Sequence, residues 1–174
     1  MRLSAFRLWP TSIVIYNGKM LRRRSASNQD CEAIRSLVFG VLTEFGLELD
    51  LNGTDRDISD IDANYLTRGG VFEVLETADG EIVGTIGLYP LDQSTIELRK
   101  MYFKPEVRGL GYGQELLASM IEKARNLGYL RIYLETASVL NQAVHIYEKA
   151  GFKPVDEKHT PRCDQAYVLE LAEE

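Results

Sequence analysis

Arg99-Lys-Met-Tyr-Phe-Lys-Pro-Glu-Val-Arg-Gly-Leu-Gly-Tyr-Gly-Gln-Glu-Leu-Leu117 joins two kinds of local order. A β-rich segment ends at Phe103, a short polar turn carries Pro105, and glycines at 109, 111 and 113 lead into an amphipathic run. A strand therefore feeds a helix N-terminus through a glycine-rich turn. The first N–H groups of a helix lack intrahelical partners, the helix dipole is positive there, and glycine lets an anion approach the backbone without a Cβ in the way. The stretch reads as an anion-binding turn, with Arg108 adding positive charge at its mouth.

Two familiar phosphate-binding loops do not fit. A P-loop needs Gly-Lys followed by Ser or Thr, and here Gly113 precedes Gln114 and Glu115. The dinucleotide fingerprint G-x-G-x-x-G fails because position 114 is not glycine. Arg-x-x-Gly-x-Gly does fit, from Arg108 through Gly111 to Gly113. In this motif the chain resembles the GNAT superfamily of acyl-CoA-dependent N-acyltransferases, which bind pyrophosphate with it. The alternative is a turn that merely permits tight strand-to-helix packing. Glu97-Leu-Arg-Lys-Met-Tyr-Phe103 before the motif and Ile146-Tyr-Glu-Lys-Ala-Gly-Phe152 after it also look like that family's, and the resemblance runs from about Met20 to Leu171.

The whole-chain quantities agree with one domain. A chain of 174 residues can bury a sizeable core but is short for two domains of usual size. No apolar run approaches the ~18–20 residues that span a bilayer. A net charge of −6 argues against nucleic acid as the main partner. Arg22, Arg23 and Arg24 form the one basic run and read as a solvated strand edge. Cys31 and Cys163 give neither a metal pattern nor a disulfide framework, so no metal is expected and a reducing cytoplasm is the default.

Residues 1–19 read as a separate extension of uncertain role, loosely attached or peripheral, with the domain proper at 20–174. Within it Thr11 to Tyr16 reads as an extra strand with Asn17-Gly18 as its turn; the alternative is that translation begins at Met20. Leu21 to Ser25 reads as a strand. Ser27 or Asn28 then caps a helix whose Ile34, Leu37, Val38, Val41, Leu42 and Phe45 repeat at three and four, ended by Gly46. The acidic segment from Asp50 to Asp62 lacks the glycine and glutamate of a calcium loop. It reads as the N-terminal side of a second helix at about 57–66, with a cation-attracting substrate rim as the alternative.

Val71 to Thr77 and Glu81 to Tyr89 form a hairpin around Asp79-Gly80, and Thr95 to Phe103 is their antiparallel neighbour. In that third strand Ile96 and Leu98 keep a two-residue period, but the next like residue is Met101. The slip at Arg99-Lys100 predicts a β-bulge. Leu116, Leu117, Met120, Ile121, Ala124 and Leu127 mark one helical face ended by Gly128. Leu130 to Glu135 follows as a parallel strand, Val139 to Ala150 as a helix, and Asp164 to Leu171 as a last strand. These elements make an α/β protein with a mixed, mostly antiparallel sheet flanked by helices, as a GNAT-like fold requires.

The resemblance implies acetyl transfer from acetyl-CoA to a primary amine by direct attack, since no cysteine occupies a motif that suggests a covalent intermediate. The alternative is a non-catalytic acyl-CoA sensor with the same fold. Glu97 matches a position where many members carry a glutamate that acts as base, directly or through water; otherwise it is a charge on the outer face of a strand. Tyr147 matches the family tyrosine near the cofactor sulfur, as acid or hydrogen-bond donor; otherwise it is a core tyrosine. The bulge splays its strand from the parallel neighbour, and the pantetheine arm is expected in that cleft. Backbone groups of Met101, Tyr102 and Phe103 would meet the arm and the reacting carbonyl. The amides of Gly109, Leu110, Gly111, Tyr112, Gly113 and Gln114, with Arg108 alongside, would hold the phosphates. Many members have an asparagine where this chain has Leu140, so either Asn141 takes the contact after a one-residue shift or the contact is absent. The acceptor reads as a small amine, mildly a cationic one, with a protein or peptide amine as the alternative. Homodimerisation is common in the family.

Overall fold

A computed structural model describes residues 12–16 and 19–171. The strands are β1 (Ser12–Tyr16), β2 (Lys19–Ser25), β3 (Val71–Thr77), β4 (Ile82–Pro90), β5 (Thr95–Phe103), β6 (Arg131–Thr136), β7 (Lys153–Val155) and β8 (Gln165–Glu170). They form one sheet in the order β1-β2-β3-β4-β5-β6-β8-β7. Every pairing is antiparallel except β5 with β6. The helices are α1 (Cys31–Glu44), α2 (Tyr112–Asn126) and α3 (Asn141–Lys149).

Two apolar layers cover the two faces of this sheet. Alternation along β3 sends Phe72 and Val74 to one face, where they pack with Ile34, Leu37, Val38, Val41 and Leu42 of α1. Val71 of β3, Ile86 and Leu88 of β4, and Ile96 and Leu98 of β5 meet Leu116, Leu117, Met120 and Ala124 of α2 on the other. Along β5 the bulge shifts the phase by one residue, so Met101 and Phe103 return to the α2 layer. Lys100 is the inserted residue, and its φ of 56° is left-handed.

Several expectations need correction. Arg22 to Arg24 do not lie on a solvated edge: β2 is flanked by β1 and β3, and Arg22 and Arg24 both bind Glu76 across the strand pair. Arg24 also holds Asp30, which closes a capping box with Ser27 before α1. The helix expected at 57–66 is two short turns, a 3-10 turn at Arg56–Ser59 and a wider one at Asp62–Leu66, broken where Asp60 turns extended. Leu127 is exposed rather than part of the α2 layer. Lys123 takes a buried place there by pairing with Glu73 of β3, a charge pattern that apolar periodicity does not register. The third helix starts at Asn141 rather than Val139, and β7 was not foreseen. The strand expected at 11–16 exists as β1, hydrogen-bonded to β2, while the Asn17-Gly18 turn lies outside the described residues. Among the described residues no helix is long and apolar enough to cross a membrane.

Candidate active site

The parallel ladder between β5 and β6 is short. Thr95 pairs with Arg131, Ile96 with Ile132 and Glu97 with Tyr133, and there the pairing ends. Beyond it β5 bulges toward β4 while β6 continues against β8 to Thr136, so the two strands part. The gap opens into a cleft with two compartments, of about 670 Å³ and 360 Å³, that share Met101, Tyr102, Leu140 and Ala143. That size suits a small ligand.

The smaller compartment runs toward the glycine turn. Phe103, Arg108, Gly109, Gly113, Asn141 and Ile146 are among its walls. Gly111 caps α2 with a φ of 90°, a left-handed geometry that strains any residue with a Cβ. The first helical bond is donated by Glu115 to the Gly111 carbonyl, so the amides before it have no intrahelical acceptor. At Gly113 an added Cβ would lie 3.2 Å from Ile146 Cδ1 and 3.3 Å from Met101 Cε, which accounts for glycine there by close approach. Leu110 and the buried Tyr112 belong to a small apolar cluster with Leu21, Leu75, Val83 and Val107. Their side chains anchor the turn, and only their backbone can serve a ligand.

Arg108 is tied down on three sides. Its Nε donates to the Phe103 carbonyl at 2.8 Å, its two terminal nitrogens reach Glu44 of α1 at 2.6 and 2.7 Å, and its guanidinium lies 5.4 Å from the Phe45 ring. The charge expected at the mouth is present but shared with a carboxylate. Asn141 stands at the first turn of α3, on the wall of this compartment next to Gln142. His145 is exposed, as its helical phase required.

Glu97 and Tyr147 both line the larger compartment. Glu97 is only 7% exposed; burial pushes its carboxyl above the ordinary range, Arg99 and Lys100 pull it back in part, and Glu135 adds to the rise. Its Oε2 accepts from Arg99 Nε at 2.7 Å. Arg99 lies over the Tyr89 ring at 4.0 Å. Tyr147 is buried against Phe152, with ring centroids 5.9 Å apart. Burial pushes its hydroxyl well above the ordinary phenol value, with smaller contributions from Tyr102 and Cys163.

The sequence reading gave no catalytic or cofactor role to Asp57, Lys100, Arg162 and Cys163, which line this compartment, or to the wholly buried Asp55 that joins two of them. Asp55, wholly buried, binds Lys100 Nζ at 2.8 Å and both terminal nitrogens of Arg162 at 2.5 and 2.8 Å. Burial alone would raise its pKa, but Arg162 and Lys100 outweigh that and hold it well below the usual carboxylate range. Asp57 accepts from the Tyr65 hydroxyl at 2.5 Å and lies 3.2 Å from Lys100 Nζ and 3.4 Å from Arg99. Cys163 lines the same wall, its thiol pushed up to about 11 by burial. Asp50 caps the Gly53 and Thr54 amides, and Asp60 caps Ala63. Much of the acidic segment is thus engaged in internal contacts, while Asp57 and Asp60 also line the larger compartment, where the cation-attracting rim was the alternative reading.

The sequence model of the Acetyltransferase (GNAT) family matches residues 45–152. The chain belongs to this family and is an N-acetyltransferase of the GNAT superfamily. It is 36% identical over 138 residues to the uncharacterized N-acetyltransferase YjgM of Escherichia coli strain K12, covering 76% of this chain and 82% of that one. A crystal structure of a GNAT family acetyltransferase from Staphylococcus aureus Mu50 superposes with a TM-score of 0.82 at 25% identity, over 87% of this chain and 99% of that one. The fold is also shared with yncA of Salmonella typhimurium, whose structure includes its cofactor acetyl-CoA: TM-score 0.67, 22% identity, 88% of this chain and 95% of that one.

Proposed function

We propose that the cleft moves the acetyl group of acetyl-CoA directly to a primary amine within one ternary complex. The observation that carries this reading is the early end of the β5–β6 ladder at Glu97 and Tyr133, which leads from a glycine-bounded helix N-terminus to a wall holding Glu97 and Tyr147. The amides from Gly109 to Gln114 would hold the phosphates of acetyl-CoA, Arg108 would stand beside them, and backbone groups of Met101 and Phe103 would meet the pantetheine arm. Asn141, which lines the smaller compartment, would add a polar contact there. The cofactor supplies an acetyl thioester.

Glu97 takes one proton from the incoming ammonium, directly or through water, since only a neutral amine has a lone pair to attack with. Its raised proton affinity suits that work. The N–C bond forms as the C–S bond breaks, and a second proton leaves nitrogen; one of the two protons ends on sulfur and the other in solvent. A backbone N–H group at the bulge, around Met101 or Tyr102, would stabilise the charge that gathers on the carbonyl oxygen. Tyr147 acts as a hydrogen-bond donor to the sulfur. A phenol held above its usual ~10 would give its proton uphill to a thiolate whose acid form ionises near ~8.5, so stabilisation fits better than full transfer. Cys163 stays a thiol at neutral pH, which favours direct attack over an acyl-cysteine.

The acceptor is read as a small-molecule amine, with a peptide or protein amine as the second class. The test is thiol release from acetyl-CoA across amino acids, polyamines, aminoglycosides and short peptides. Release with one amine class is expected, and kcat/KM should fall with a single acid limb above the ordinary carboxylate value of ~4.3. Glu97→Gln should abolish that limb and lower kcat/KM at least tenfold, about 1.4 kcal/mol of barrier. No release with any amine would overturn the reading.

A further inference from the structure

The bulge residue is an unexpected choice of side chain. Lys100 is the one non-glycine residue with a positive φ among the described residues, and a left-handed backbone is unfavourable for a residue with a Cβ. Its ammonium is also out of water, at 6% exposure for the whole residue, which adds a desolvation cost. Glycine would avoid both. Something that only a long cation supplies must select lysine here.

What it supplies is attachment at both ends. The Lys100 carbonyl accepts from Thr85 Oγ1 of β4 at 2.7 Å, and its Nζ meets Asp55 at 2.8 Å, the Thr54 carbonyl at 3.1 Å and Asp57 at 3.2 Å. Those partners are themselves held. Asp55 accepts the Asp50 amide at 2.9 Å and binds Arg162 from the segment before β8; Asp57 holds Tyr65 and touches Arg99, which holds Glu97. Glu97, Arg99, Asp57, Lys100, Asp55 and Arg162 therefore form one line of alternating charge, all of it except the wholly buried Asp55 on the wall of the larger compartment.

We propose that Lys100 is a positioning residue of acetyl transfer: anchored by Asp55 and Asp57, it fixes the bulge, and with it the Met101 amide and the Arg99–Glu97 pair. This rests on the reading of the cleft as the transfer site. Lys100 touches no reacting atom. Its loss leaves the glycine turn and α2 intact, so acetyl-CoA keeps its phosphate contacts and loses at most the one at Met101, while the chemical step loses its geometry. The groups around Glu97 are Arg99 and Lys100 on β5, Tyr133 and Glu135 on β6, Tyr65 from the turn before β3, and Cys163 before β8. Lys100 is one of the two cations that hold the Glu97 carboxyl down, so its removal moves the acid limb of kcat/KM upward.

The test compares Lys100→Gly, which removes the backbone strain, and Lys100→Met, which keeps the length, with the natural chain. Both should lower kcat at least tenfold, keep the Kd for acetyl-CoA by calorimetry within threefold, and shift the acid limb to higher pH. In nitrogen-15 spectra the Met101 and Tyr102 amide signals should move or broaden. If Lys100→Met does not fold, Lys100→Gly decides. Unchanged kcat and acid limb in Lys100→Gly, or unmoved Met101 and Tyr102 signals, would overturn the proposal. If the natural chain transfers to no amine, the function proposed above fails, and the amide signals still decide the role of Lys100 in fixing the bulge.

Discussion

At the scale of single residues, the site is built from polar groups that are satisfied in pairs. The Tyr65 hydroxyl is wholly buried and donates to Asp57 at 2.5 Å, while its ring meets Phe72 and Tyr89 edge-on at 4.8 and 5.5 Å. Tyr65→Phe keeps the ring contacts and removes the donor. The expected loss is about 1–3 kcal/mol of stability, because Asp57 remains buried with one partner fewer. Urea denaturation checks this, and a midpoint that falls at constant m is the expected form. Glu97 and Tyr147, which both line the larger compartment, could be singled out in the sequence because each sits inside a short local pattern. Asp55, Lys100 and Arg162 were not legible as a group. Lys100 and Arg162 lie 45 and 107 positions from Asp55, and nothing in a single sequence announces a contact over such distances.

At the scale of elements, periodicity carried the reading where one face is apolar and failed where charge goes inside. The bulge in β5 was visible as a slip between Leu98 and Met101 because one face of that strand is apolar and packs on α2, while Glu97, Arg99 and Lys100 interrupt it. The face of α2 was visible apart from Lys123, which reaches Glu73 of β3 across the sheet surface. Both partners are nearly inaccessible, and Arg23 approaches the same carboxylate at 3.7 Å. Lys123→Met should therefore cost about 3 kcal/mol, since it leaves Glu73 buried with its main counter-charge gone. Replacing both residues, Glu73→Leu with Lys123→Met, should recover most of that loss. A thermal or urea comparison of the two variants checks the pairing; equal stabilities would show that α2 is not held to β3 by charge. The helix expected at 57–66 broke into two turns because Asp57 and Asp60 have better partners in Tyr65, Ala63 and Asn28 than a regular helix would offer them.

At the scale of the whole molecule, the order β3-β4-β5-β6 and the two apolar layers follow from a hairpin, one crossover and alternating patterns that the sequence displays, whereas the β6-β8-β7 end, with its unforeseen β7, does not. The way the terminal segments pass near the cleft does not follow from pattern. Arg162 brings the segment before β8 onto Asp55, and Glu135 of β6 accepts the amides of His159 and Thr160 at 2.7 Å each. Those contacts join the far strands to the loop before β3 around one compartment, which is what turns a splayed pair of strands into a walled site. The central claim is that this compartment performs acetyl transfer with Tyr147 at the sulfur. Its most direct test is the kcat for thiol release from acetyl-CoA by the natural chain and by Tyr147→Phe, at saturating amine. The account predicts a fall of at least tenfold, about 1.4 kcal/mol of barrier, with the Kd for acetyl-CoA nearly unchanged. An unchanged kcat in a folded Tyr147→Phe variant would contradict it.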